Sequence, residues 1–327
     1  MRILFAHSRR WPYVERDLSI LSERHEVRER CFQSVGDLPA LLSGVLWSQA
    51  TFSWFGKVHA FVAVAAARAL GKRSAVVAGG DDVACEPEMG YGMHSHWWKR
   101  WCPLAVFRLA DLVLAVSQFN RYEAITNARA NPAKTRLVYH GFDWAKYRRA
   151  PGVGRDSLVM TLGTLNREYV ARKGIGLFVE AAALLPTVRF AVAGQAGDAL
   201  PSLLHEVSPN VEFAGRVSDE QLIALYSSAH AYVQPSLHEA FGCAVAESML
   251  CECIPVVSRR AALPEVVGDT GVYVDGLTGQ GLADGIREAL ALGPEWGHKA
   301  RERIVDLFPL EKRRDALLAA VDEVMGS

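Results

Sequence analysis

The sequence has no net charge, because 36 Lys and Arg are matched by 36 Asp and Glu. That balance removes any general pull toward nucleic acid or an anionic membrane surface, so an anionic ligand has to be held by a local cluster. Long apolar runs are lacking as well. The first residues, MRILFAHSRR, contain only a four-residue apolar run, too short for a signal-peptide core. No stretch approaches the roughly 18 apolar residues of a membrane span. A cytoplasmic protein is expected. Cysteine is sparse: Cys31, Cys85, Cys102, Cys243, Cys251 and Cys253 are scattered, and Cys251-x-Cys253 has no partner cluster at zinc-like spacing. All six read as reduced thiols, most of them in the core.

What the chain does have is length and apolar content. Its 327 residues, half of them apolar, suffice for two domains with a core each. Short apolar runs alternate with helical patterns: RILFAH, SAVVAGG, LVLAVS and RLVYHG, then SLVMTLG, RFAVAG, VEFAG, AYVQPS, IPVVS and GVYVD. Such alternation predicts parallel strands joined by crossover helices, an α/β doubly wound sheet formed twice. Charge, Pro and Gly break the pattern at residues 147–157, YRRAPGVGRDS. The expected division is 1–150, 151–305 and a final helix over 306–327 placed to pack back on the N-terminal domain. That helix follows Pro309, and its apolar stripe is Leu310, Leu317, Val321 and Val324. Gly or Ser follows many of the apolar runs, and ligands of open parallel sheets bind at those carboxyl ends, so two domains facing an interdomain cleft are expected.

The segment HEAFGCAVAE sets Glu239 and Glu247 eight residues apart in otherwise core-like sequence. A helix over 240–250 would be apolar on nearly every side, and an ionised Glu247 in it needs hydrogen-bonding groups, such as an internal Arg or the hydroxyls of a ribose. Glu239 stands before the helix, where it is either a plain electrostatic cap or a partner for sugar hydroxyls; the amides near Phe241, Gly242 and Cys243 can meet an anion.

Local positive charge comes from Arg172 and Lys173 in NREYVARKG, just before Gly174 and a second helical run. There it is either a solvated surface pair or a diphosphate site that stabilises the charge growing on a leaving phosphate. Ser218-x-x-Gln221 is a capping box, so a helix starts at Asp219 and the backbone near Val217 edges the binding face. In the first half, GGDDVACEPEMGYGMHSHWW follows a strand and reads as a loop at the same edge of its sheet. Asp81 and Asp82 are candidates for positioning an acceptor hydroxyl, with His94 and His96 in the same loop. HWWKRWCPLAVFRLA mixes Trp97, Trp98 and Trp101 with Lys99 and Arg100, which suits either a peripheral membrane contact or a helix packed on its own domain.

Residues 138–275 resemble the retaining glycosyltransferases of the GT-B fold with an E-x7-E signature. The likeness runs through VYHGFD, GTLNREYVARKGIGLFVEAAALLP, FAVAG, VEFAGRVSDEQLIALYSSA and HEAFGCAVAESMLCECIPVVSRRAALPEVVGDTGVYV. The resemblance implies a GT-B fold and transfer of a hexose from a nucleotide diphosphate sugar to a glycan, lipid-linked or small-molecule hydroxyl, with retained configuration, as in polysaccharide biosynthesis. A nucleotide-sugar epimerase and a non-catalytic binding module are the alternatives. The resemblance further implies that Glu239 contacts the transferred sugar, that Glu247 holds the ribose, and that Phe241, Gly242 and Cys243 offer amides to the sugar or diphosphate. Gly163 ends the first strand of the donor domain, where relatives often carry an Arg soon after; here Thr164 follows, which leaves Arg167, Arg172 and Lys173 as phosphate cations. The base is expected near Val217, read through main-chain groups. Neither metal nor cofactor is expected beyond the nucleotide sugar, and a His such as His94 or His96 is implied near the reacting sugar. The sequence departs from the family at Glu252 and Ala261, where relatives often have Gly.

Overall fold

Strands whose central members are buried runs of Val, Ile, Leu, Ala and Phe alternate with helices and give two units, each on its own parallel sheet. The structure is a computed structural model describing residues 1–155, 157–205 and 207–325. One unit comprises Met1–Gly141 together with the C-terminal stretch from Glu311, and the other Phe142–Leu310. The division falls at Phe142 rather than in the Pro/Gly-rich stretch at 147–157. Its cause lies in the second unit, where Phe142 donates to Phe308 O (2.9 Å) and Leu310 donates to Phe142 O (3.0 Å).

In chain order the first unit runs β1 (Arg2–His7), α1 (Pro12–Ser22), β2 (Glu26–Cys31), α2 (Leu38–Trp47), β3 (Ala50–Trp54), α3 (Val58–Ala69), β4 (Arg73–Ala78), α4 (Trp101–Leu109), β5 (Leu112–Ala115), α5 (Gln118–Thr126) and β6 (Thr135–Leu137). Its six parallel strands lie in the order β2-β1-β3-β4-β5-β6. The second unit runs β7 (Leu158–Leu162), α6 (Arg167–Lys173), α7 (Ile175–Ala183), β8 (Arg189–Ala193), α8 (Leu200–His205), β9 (Val211–Gly215), α9 (Asp219–Ser228), β10 (Ala229–Gln234), α10 (Cys243–Leu250), β11 (Ile254–Ser258), α11 (Leu263–Val267), β12 (Val272–Val274), α12 (Gly279–Ala291) and α13 (Pro294–Leu307). The last helix, α14, spans Leu310–Met325. The second sheet, also all parallel, has the order β12-β11-β10-β7-β8-β9, so strand order reverses between β7 and β10. Ligands of open α/β sheets bind beyond the strand ends at that reversal. The core of this unit packs Phe178, Phe190, Val233, Val256, Leu282 and Ile286 between sheet and helices.

Three expectations change here. Helix α10 begins at Cys243, not near Ala240, because Gly242 has φ 103° and a left-handed residue cannot continue a helix. Glu247 is half-buried rather than buried, while its neighbours Val245, Ala246, Ser248 and Met249 are buried. Only Cys102, Cys251 and Cys253 of the six thiols are buried; Cys31 and Cys85 are exposed.

Glu252 and Ala261, the two departures from the family's glycines, both lie at positive φ, 65° and 53°. The backbone conformation that glycine adopts without strain is thus kept with a Cβ present. Glu252 has compensation, since its carboxylate lies 3.9 Å from Arg149, 3.8 Å from Arg155 and 3.3 Å from His298. The Ala261 methyl carries no polar group that could form such pairs. Ala261→Gly is therefore expected to stabilise the second unit by about 1 kcal/mol, read as a raised denaturation midpoint, whereas Glu252→Gly brings no gain.

Candidate functional site

The turn between α6 and α7 sets the first cations. The Asn166 side chain accepts from the Tyr169 amide (2.9 Å) and starts α6, and Gly174, at φ 69°, ends it and opens α7. A Cβ on Gly174 would stand 2.7 Å from Pro235 Cγ, so only glycine lets this turn lie against the end of β10. The Leu237 amide donates to Arg172 O (2.8 Å), joining the loop after β10 to the same turn. This brings Arg172 and Lys173 to the strand-order reversal.

Four donors meet there on one carboxylate oxygen. Glu239 Oε1 accepts from Gln234 Nε2 (3.1 Å) and Ser236 Oγ (3.1 Å), and lies 3.3 Å from Arg172 Nη1 and 3.1 Å from Lys173 Nζ. Among the described residues none donates to Oε2. The Glu239 side chain is 13% exposed; burial opposes its charge, but Lys173 and then Arg172 outweigh burial and hold the carboxyl down at about 2. Arg172 also donates to His238 O (2.9 Å) and lies over the Tyr169 ring, so its orientation is fixed. Tyr232 Oη donates to Gln234 Oε1 (2.9 Å), which turns the Gln234 amide nitrogen toward Glu239.

Gly163 completes this floor. Its amide donates to Ala193 O (3.0 Å), and a Cβ there would lie 3.2 Å from Lys173 Cδ and 2.9 Å from Ile175 Cδ1. Phe241, Gly242 and Cys243 lead into α10, with the Phe241 ring buried against Phe142 and Phe308, so only its main chain can meet a ligand. The Ser218 capping box forms with both bonds present and starts α9 at Asp219, which leaves Val217 on the turn after β9. Arg167 does not join the cluster: its side chain is 81% exposed and its nearest acid is Asp198 (3.9 Å).

The residues expected in the first unit separate into two kinds. Asp82 is fully buried, and its oxygens accept from the amides of Gly56 (2.7 Å), Gly79 (3.0 Å) and Gly80 (2.9 Å). Burial and the adjacent Asp81 push its pKa up to about 7, against these amides and Lys57. This corrects the reading of Asp82 as an acceptor-positioning carboxylate, because it clamps the turns after β3 and β4 and presents no oxygen to a ligand. Asp81 is the member that reaches the surface, paired with Lys57 at 2.8 Å. His94 is buried, which lowers its pKa against a hydrogen bond to the Asp82 backbone. His96 is half-exposed, its Nε2 3.1 Å from Gly90 O.

Gln234 and Ser236 were not among the expected site residues. Their signal is a polar side chain at the last position of the buried strand β10 and another two residues on, where a parallel strand delivers groups to its ligand edge.

Two Rossmann-like units with all-parallel sheets in one chain define the GT-B class of glycosyltransferase folds. Residues 156–291 match the family described as glycosyl transferases group 1. Among curated relatives, a phosphatidylinositol N-acetylglucosaminyltransferase subunit of Arabidopsis thaliana is 26% identical over 223 residues, 64% of this chain and 49% of that protein. O-antigen chain mannosyltransferase B of Escherichia coli is 30% identical over 188 residues, 51% of this chain and 48% of that protein. The chain spans about half the length of these curated relatives. Among solved structures, Anabaena HepE in complex with UDP-glucose superposes with a TM-score of 0.83 at 18% identity, covering 99% of this chain and 100% of that one. Sucrose-phosphate synthase from Thermosynechococcus elongatus gives 0.80 at 17%, covering 100% and 99%. At such identities the likeness is one of fold.

Proposed function

We propose that the protein is a retaining glycosyltransferase that moves a hexose from a nucleotide diphosphate sugar to a hydroxyl acceptor. The observation that carries this reading is Glu239, a carboxylate with one oxygen held by four donors and the other without one among the described residues, flanked by two cations at the reversal of a parallel sheet. In this reading Oε2 accepts a hydroxyl of the transferred hexose. Lys173 and Arg172 face the diphosphate, neutralise it and stabilise the charge that grows as the glycosidic bond breaks. Support for the donor class comes from HepE, solved with UDP-glucose, and from relatives named as mannosyl- and N-acetylglucosaminyltransferases.

A carboxyl held at about 2 has no proton to give near neutrality, and so low a basicity makes it a weak nucleophile. Attack therefore falls to the acceptor hydroxyl on the face the phosphate leaves. The new bond joins acceptor oxygen to the anomeric carbon, the bond from that carbon to phosphate oxygen breaks, and the acceptor proton passes to the departing phosphate. Asp81, the accessible carboxylate of its pair, orients the acceptor, and Glu247 holds the ribose hydroxyls.

Product NMR is the first test. Incubation with UDP-glucose or GDP-mannose and a saccharide acceptor is expected to give a product with the donor's anomeric configuration; an inverted product, or epimerisation of the donor alone, overturns the reading. Glu247→Ala is the second. It should weaken UDP by about 10–100-fold in calorimetry, the effect of a lost hydrogen bond to a charged group, and should no longer distinguish UDP from its 2′,3′-dideoxy analogue. An unchanged preference for UDP removes Glu247 from the ribose site.

A further inference from the structure

The loop and helix start that follow β4 place three tryptophans in water. Trp97 is 79% exposed, Trp98 57% and Trp101 54%, within five residues of chain, and Val58 at the start of α3 is 49% exposed. Large aromatic rings left in water singly need no explanation, but a contiguous group marks a surface that meets something. The composition of the partner side is set by charge: between Glu88 and Asp111 there is no acidic residue, while Lys99, Arg100 and Arg108 all fall there in a chain of zero net charge. Lys99 Nζ lies 4.9 Å from the centre of the Trp98 ring, so cation and aromatic present one mixed face.

The segment that carries the rings is also fixed. Lys99 and Arg100 amides donate to His96 O (3.0 and 3.2 Å), which forms the turn before α4, and Trp101 sits edge-on to Phe61 of α3 at 5.6 Å. Opposite them, Cys102, Pro103, Val106 and Phe107 bury the other face of α4 in the core. The helix is thus docked by one side, while its first residue and the turn before it expose three indoles next to Lys99 and Arg100, the composition that seats in the headgroup layer of a bilayer: indole rings at the interface, Lys and Arg at anionic phosphates. No helix among the described residues is long and apolar enough to cross a membrane.

We infer that the Trp97–Trp98–Trp101 face docks the protein on an anionic lipid bilayer. The inference stands apart from the proposed transfer, and its test needs no turnover. The full chain is sedimented with vesicles of phosphatidylcholine alone and of phosphatidylcholine mixed with phosphatidylglycerol. Binding is expected to the anionic vesicles only, with a blue shift of tryptophan emission, and to fall about tenfold in Lys99→Glu/Arg100→Glu and at raised salt. Trp97→Ser/Trp98→Ser should lose it by at least that factor; this pair avoids Trp101, whose packing on Phe61 could affect folding, and an unchanged circular dichroism spectrum and denaturation profile of the full chain report an intact fold. Absence of binding, binding that survives the Trp substitutions, or a concentration-dependent dimer in light scattering that they abolish would each overturn the proposal, the last by giving the face to a second copy of the chain.

Discussion

Glu239→Gln is expected to lower sugar transfer by about 10²–10³-fold while leaving UDP bound at least as tightly as in the parent. The asymmetry follows from the four-donor arrangement. Gln keeps the shape but removes the charge that Lys173 (3.1 Å) and Arg172 (3.3 Å) share, so both cations become more available to a diphosphate, whereas the anionic partner of the hexose hydroxyl is gone. Lys173→Ala should behave in the opposite way, losing UDP affinity together with transfer. If both variants left transfer within about twofold of the parent, the assignment of this cluster would fail.

The same carboxylate makes a pH-dependent contribution to stability. Its pKa is depressed from 4.5 to about 2, so its ionised form favours the folded state; the contribution is complete above about pH 4.5 and is lost as pH falls toward 2. The depression corresponds to about 3 kcal/mol, similar to the cost of breaking a buried ion pair by removing one partner. Denaturation of parent and Glu239→Gln should therefore differ most near neutrality and converge in acid. A difference constant with pH would mean that the carboxylate is not the source.

Much of this was legible in the sequence because periodicity reports on burial. The apolar runs from RILFAH to GVYVD became strands of two parallel sheets, and the Ser218-x-x-Gln221 spacing fixed the start of α9. The convergence of Arg172 and Lys173 on Glu239 was not legible, since the residues are about 66 positions apart and meet through Gly174 packing on Pro235 and the Leu237 amide donating to Arg172 O. The sequence also could not tell Asp81 from Asp82. Adjacent residues on a turn point in different directions, and it is the amides of Gly56, Gly79 and Gly80, from two loops, that draw Asp82 inside. The apolar neighbours of Glu247 point to burial, yet it is half-buried, because a helix can present one residue per turn to the surface.

Asp17→Asn or Arg313→Met alone is expected to destabilise the first unit by about 3–5 kcal/mol, while the double replacement Asp17→Leu/Arg313→Met costs far less. Both partners are buried. Arg313 on α14 meets Asp17 on α1 through Nε–Oδ1 and Nη2–Oδ2, each 2.7 Å, and its Nη1 donates to Val138 O (3.0 Å) and Tyr139 O (2.8 Å); Trp54 Nε1 donates to Asp17 Oδ2 (3.1 Å). Removing one member strands a charge where water cannot reach it, and removing both does not, so the double-mutant cycle should show a strong coupling. Leu317, Leu318 and Val321 bury the same helix in that unit, which is why the segment after Leu310 belongs with residues more than 290 positions earlier. A chain ending at Leu310 would leave the buried Asp17 carboxyl against the Trp54 indole without its cation, and it should lose cooperative unfolding of the first unit while UDP binding by residues 142–310 persists. Retention of the parent's two-unit denaturation profile in that truncated chain would show that the buried pair is not what holds the first unit together.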